Sequence, residues 1–145
     1  MQSDTKNDRA AELYPSAVPG ADQLFNWFGY WPSFHDAEIV SLVLNRDGPS
    51  SICLRTWHTT AQVDERGCYI KEKHIGVRIH MEEILSLALT NFSQQNIIFG
   101  LKIVEDHRGY RLIFDPCYGL GGSISVRALS IELEPGDQGA NGNRE

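Results

Sequence analysis

The side chains best suited to chemistry stand together just after a tryptophan–proline corner, in Ser33-Phe34-His35-Asp36-Ala37-Glu38. A histidine beside two carboxylates can serve as a base oriented by an acid, or contribute to a metal site. Spacing argues against convergence. Neighbouring residues of an extended chain point to opposite faces, so only Asp36 and Glu38 share a side, and a turn in which His35 or Asp36 bonds backbone groups explains the same residues without chemistry. Four further histidines, His58, His74, His80 and His107, follow no ligand spacing; a metal site would need His58, His74 and His80 assembled across strands. The glycine-rich Cys117-Tyr118-Gly119-Leu120-Gly121-Gly122 runs into a strand-like stretch, with neither a helix nor a Walker-type lysine after it, which excludes a phosphate loop. No Gly-x-Ser-x-Gly elbow is present, and Cys53, Cys68 and Cys117 are an odd set without zinc or disulfide spacing. No catalytic residue, metal or cofactor is expected.

The elements that must position these residues are mainly strands. Asp22 to Phe28 carries Leu24, Phe25 and Phe28 at helical spacing, with Asp22 as a candidate cap and Gly29 as a stop. Apolar runs then recur at 37 to 46, 51 to 60, 69 to 80, 84 to 90, 97 to 105, 110 to 115 and 123 to 133, predicting about seven strands. The clearest alternation sets Ile75, Val77, Ile79 and Met81 against His74, Gly76, Arg78 and His80. Residues 81 to 92 fit a helical stripe and a strand, and the NFSQQN turn behind them favours the strand. Near 123 to 133, Ile124 and Val126 have one parity and Leu129, Ile131 and Leu133 the other, so one buried face requires a bulge near Arg127 to Ala128. Three loops end in glycine, at Gly48, Gly67 and Gly109, as hairpin loops do when the last residue needs positive φ. The expected fold is α+β and mostly β: a largely antiparallel sheet of sequential hairpins, one face covered by the short helix and the aromatic segment. The expected boundaries are a flexible segment over 1–20, a single domain over 21–134 and a disordered glycine-rich tail over 135–145.

Composition narrows the function classes. The 145 residues are 41% hydrophobic, enough for one core, and no apolar stretch approaches the roughly 20 residues of a membrane helix. Absent a secretory leader, a cytoplasmic protein with no membrane partner is expected. Net charge is −6, and Lys71 and Lys73 are the one local basic pair, so nucleic-acid binding is not expected. The segment FNWFGYWPSF holds six of the chain's aromatic residues, material for a cover over the sheet or for a partner surface.

The string Trp31-Pro32-Ser33-Phe34-His35-Asp36-Ala37-Glu38, followed by Ile-Val-Ser-Leu, resembles the opening of the immunity protein 50 family of small bacterial proteins, expected to neutralise polymorphic toxins. Leu89-Thr90-Asn91-Phe92 with Gln95-Asn96-Ile97-Ile98 is similar to that family's second block, and the resemblance spans about residues 25 to 133. It implies a non-enzymatic binding protein that occludes a cognate toxin, its acidic balance matched to a basic surface. The contact residues expected on this reading are Trp27, Tyr30 and Trp31, with Asp36 and Glu38 nearby. The alternatives are a small metal-dependent or acid–base enzyme using His35, Asp36 and Glu38, and a structural module that pairs as a homodimer. A monomer and a homodimer both fit the sequence.

Overall fold

The computed structural model describes residues 15 to 63, 65 to 67 and 69 to 135, with backbone alone at 58 to 63, 69 to 73 and 135. Among the described residues one helix, α1 (Ala21–Phe28), precedes six strands: β1 (Glu38–Val43), β2 (Ser50–Val63), β3 (Tyr69–Thr90), β4 (Ile97–Asp106), β5 (Gly109–Tyr118) and β6 (Gly121–Pro135). The runs at 69 to 80 and 84 to 90 join through Met81–Glu83 into a single 22-residue strand, which gives six strands from seven runs. All pairing is antiparallel, in the order β1-β2-β3-β6-β5-β4, and the sheet closes on itself into a barrel. Two three-stranded meanders, β1-β2-β3 and β4-β5-β6, are thus joined along β3–β6 and again along β1–β4. The glycines that end the three hairpin loops, Gly48, Gly67 and Gly109, all have positive φ, as the loop sequences require.

Alternation builds the core. Ile75, Val77, Ile79 and Met81 of β3 are buried with Ile52 and Leu54 of β2, Ile39 of β1, and Ile124, Val126, Leu129 and Ile131 of β6. The parity change expected near Arg127 to Ala128 occurs in both paired strands. Burial passes from Val126 to Leu129 in β6 and from Met81 to the half-buried Ile84 in β3. Its backbone device lies on the facing strand, where Glu83 takes φ 60° and the register shifts between Ile84 and Ser86. Glu83 is opposite Arg127 and accepts a 2.9 Å hydrogen bond from its Nε.

The helix is too short to stand alone and is held by docking. Ala21, Leu24 and Phe28 are buried, and each large side chain contributes roughly 2 kcal/mol by leaving water. Asp22 lies in the first turn and does not cap the start: the N-cap is Gly20, with no side-chain cap. A Cβ on Gly20 would sit 1.8 Å from the Ile131 carbonyl oxygen, so the chain comes closer to β6 here than any side chain permits. Just before it, Pro19 accepts a 2.8 Å hydrogen bond from Ile131 and Val18 is buried. Residues 15 to 20 therefore pack on the barrel; residues 1 to 14 and 136 to 145 lie outside the described residues. Among the described residues no helix is long and apolar enough to cross a membrane.

Candidate functional site

The reactive-looking string closes the barrel. Strands β1 and β4 share one registered pair, Glu38 with Ile97, and the rest of the seam is made by the residues before β1. Asp36 N–H donates to the Ile98 carbonyl at 2.9 Å, Ile98 N–H to Ala37 at 3.0 Å, Ile39 N–H to Asn96 at 2.8 Å, and Leu101 N–H to Ser33 at 3.2 Å. To follow this path the backbone enters the left-handed region at Phe34 (φ 65°) and Asp36 (φ 69°). A non-glycine residue there costs about 1 kcal/mol or more, so the surroundings must enforce it. Phe34 is buried with Ala37, Pro32 is buried, and the Trp31 ring meets Phe34 edge-on at 6.2 Å.

Asn96, 2% exposed, completes the seam from the other side. Its side-chain oxygen accepts from Ser93 N–H at 2.9 Å and Leu120 N–H at 3.1 Å, and its amide donates to the Ser93 carbonyl at 2.8 Å. One buried amide thus ties β4 to the turn before it and to the β5–β6 connection. The segments 31 to 38 and 89 to 98 thus meet across this seam.

His35 is presented outward. Its ring stacks on Phe99 (centroids 5.8 Å, planes 15° apart), and Nδ1 lies 3.2 Å from the Phe99 carbonyl. A carbonyl only accepts, so Nδ1 carries the proton, leaving Nε2 toward Asp36 Oδ1 at 3.7 Å. That separation is beyond hydrogen-bond reach, and both side chains are about half exposed. Glu38 has no hydrogen bond or ion pair with either. The structure therefore brings His35 beside Asp36 and turns Glu38 elsewhere.

Glu38 lines a groove of about 570 Å³ on the outer face of β1, β2 and β3, with the end of β6 at its far wall. Register explains it. One cross-strand row runs Glu38, Arg55, Gly76, Glu134, and the next has Cys53, Arg78 and Glu132. Gly76 leaves the floor open: a Cβ there would come within 3.3 Å of Glu134. Arg78 Nε–H donates to Glu134 Oε2 at 2.8 Å, and that bond raises the Arg78 pKa above its already high ordinary value. Arg55 is exposed and forms no ion pair among the described residues. Trp57, half-buried, lies against the His74 ring at 5.8 Å. Alternation in β3 marks the outward His74, Arg78 and His80, but Arg55 and Glu134 join them only through pairings that no local pattern encodes.

The remaining expected residues divide. Trp27 is half-buried against the Phe28 ring (4.8 Å, edge-on), Trp31 is half-buried on the core, and Tyr30 is 46% exposed. The histidines of the cross-strand alternative are separated: His80 bonds Glu132 at 2.8 Å, whereas His74, six residues back on the same face, is roughly 20 Å away by strand rise. The side chain of His58 lies outside the described residues, as does Cys68. Among the described residues no group of three or more His, Cys, Asp and Glu side chains is arranged to hold a metal ion. Cys53 is buried and Cys117 exposed, both free thiols. No family model, no curated protein and no solved structure matches this chain.

Proposed function

We propose that this protein acts by binding, as a cytoplasmic immunity protein that occludes a cognate bacterial toxin, with Tyr30, the His35–Phe99 pair, Asp36 and Glu38 in the contact surface and Trp27 and Trp31 beside them. The observation that carries this reading is the segment 34 to 36. Two strained residues flank His35, and the barrel closure that enforces their backbone holds an imidazole, stacked on a 49% exposed phenylalanine, out toward solvent. Strain of this kind gathers at sites where a side chain must be presented in one geometry, and exposed aromatics on a rigid backing anchor protein interfaces. Asp36 adds negative charge beside His35, and Glu38 adds it in the groove of β1 to β3, both suited to a basic toxin face. The resemblance of the two blocks that meet at the seam supplies the class of partner.

The test is co-expression with the product of the neighbouring gene. A 1:1 complex that restores growth is expected, and Tyr30→Ala and Phe99→Ala each weaken it by about tenfold or more without moving the melting temperature. Absence of a complex and of rescue would remove the proposal. Full affinity in both alanine variants would move the contact surface elsewhere.

A further inference from the structure

Closure of the barrel leaves one stretch of strand half-paired. Strand β2 ends against β3 at Ser50 opposite Met81, while β3 runs on to Thr90 with β6 on its other side alone. No backbone hydrogen bond from another described segment reaches the open side of residues 82 to 90. Such an edge is a template for another strand, and proteins usually blunt it with lysine, proline, a bulge or inward charge. Here those devices stop early. Glu82, Glu83 and the register shift lie before Ser86, and Glu83 is neutralised by Arg127. From Ser86 to Thr90 the sequence is Ser-Leu-Ala-Leu-Thr, regular, uncharged and bounded by the shift on one side and Asn91 (φ 61°) on the other. Leu87 is 46% exposed although its neighbour across the ladder, Ile124, is fully buried.

We propose that this edge pairs with the same edge of a second copy, antiparallel about a two-fold axis through Ala88, so that one continuous sheet crosses the dimer. The stretch is self-complementary about that residue. Pairing sets each Leu87 against the partner's Leu89 and each Ser86 against the partner's Thr90, with the smallest side chain on the axis. Backbone direction agrees. The Ala88 carbonyl faces β6, since a Cβ on Gly122 would meet it at 2.0 Å, so by alternation the N–H and C=O groups of Leu87 and Leu89 face the open side. These are the residues that the two-fold brings into hydrogen-bonded pairs. Leu87 also gains cover from the partner's Leu89, which a soluble peptide of different sequence would not supply on both sides of the axis.

Sedimentation of the full chain over micromolar to millimolar concentration is expected to show mass rising from 16.3 kDa toward twice that value. Leu87→Pro removes an N–H that bonds nothing among the described residues, so it is expected to shift dimerisation by about tenfold or more while the melting temperature holds. Leu87→Lys, which leaves the backbone intact, is expected to do the same. In a Cys68→Ser, Cys117→Ser background, Ala88→Cys is expected to form a disulfide-linked dimer, since Cα atoms of such a non-hydrogen-bonded pair lie about 4.5 Å apart. Ser86→Cys, roughly 13 Å from its own copy by strand rise, is expected not to. A monomer up to millimolar concentration, self-association that both Leu87 variants leave untouched, or equal cross-linking of both cysteine variants would each overturn the proposal. A monomer whose edge instead takes up a peptide would overturn it as well.

Discussion

The two joints that close the barrel are built in opposite ways. Along β3–β6 the ladder runs from Ile75 opposite Pro135 to Thr90 opposite Gly121, regular on either side of one irregularity at Glu83 (φ 60°) and the shift after Ile84. Along β1–β4 a single registered pair is supplemented by backbone bonds from residues 33 to 39, by two left-handed residues and by the buried amide of Asn96. The first joint is strong because it repeats. The second depends on a few residues that cannot be exchanged, and it is also where aromatic and acidic side chains face outward. A regular ladder fixes the frame; the irregular joint has the freedom to aim side chains, because its backbone does not have to alternate.

The contrast can be broken at either joint. In the ladder, Gly122 has φ 122° and a Cβ there would lie 2.0 Å from the Ala88 carbonyl oxygen, so Gly122→Val is expected to prevent folding, read as loss of soluble protein and of the cooperative melt. In the seam, Phe34→Ala removes a buried ring and is expected to cost about 3 to 5 kcal/mol in chemical denaturation, a large part of a typical domain's stability. Asn96→Ala leaves the Leu120 and Ser93 N–H groups without their acceptor and is expected to cost about 2 to 3 kcal/mol by the same measurement. Hydrogen exchange separates the joints without mutation: the Ile39 and Ile98 amides of the seam are expected to exchange through local opening, and those of Val77 and Ile79 only on global unfolding. Equal protection at both joints would erase the distinction.

The same contrast decides what could be read before the structure. The helix, the strand runs, the parity change near Arg127 and the positive φ of the hairpin glycines are local properties, and each has a local signal in side-chain period or turn composition. Pairing of β3 with β6 joins residues from 31 (Thr90 with Gly121) to 60 (Ile75 with Pro135) apart, with no single turn between them to announce it, and so the closed barrel and the Arg55–Gly76–Glu134 row had no signal in the chain. The conformations at Phe34 and Asp36 were equally silent, because a phenylalanine gives no hint of positive φ. His35, Asp36 and Glu38 drew notice through their chemistry, but which way each one points is set by the left-handed residues and by register. Asn96 stood in the sequence as one polar residue among several in a turn; only burial shows that it organises three segments.

The smallest effect lies in the β4–β5 hairpin, at the end of β4 away from the seam, where a side chain again satisfies backbone N–H groups. Asp106 Oδ1 accepts hydrogen bonds from Arg108 N–H at 2.8 Å and Gly109 N–H at 3.0 Å. The Arg108 bond is the main reason its pKa falls below the ordinary carboxylate value, with the Gly109 bond assisting against desolvation. A carboxylate whose pKa is depressed on folding contributes stability above its unfolded pKa, and that contribution disappears as pH falls through the folded value. Asp106→Ala is therefore expected to lower the melting temperature slightly at neutral pH, and the gap from wild type should narrow steadily below about pH 4. The group is fully exposed to solvent screening, so the gap should be much smaller than those at Phe34 or Asn96. A gap that stays constant into acid would mean that the alanine acts by loosening the turn rather than by losing a charge-assisted cap, and the hairpin would then hold its shape by backbone preference alone.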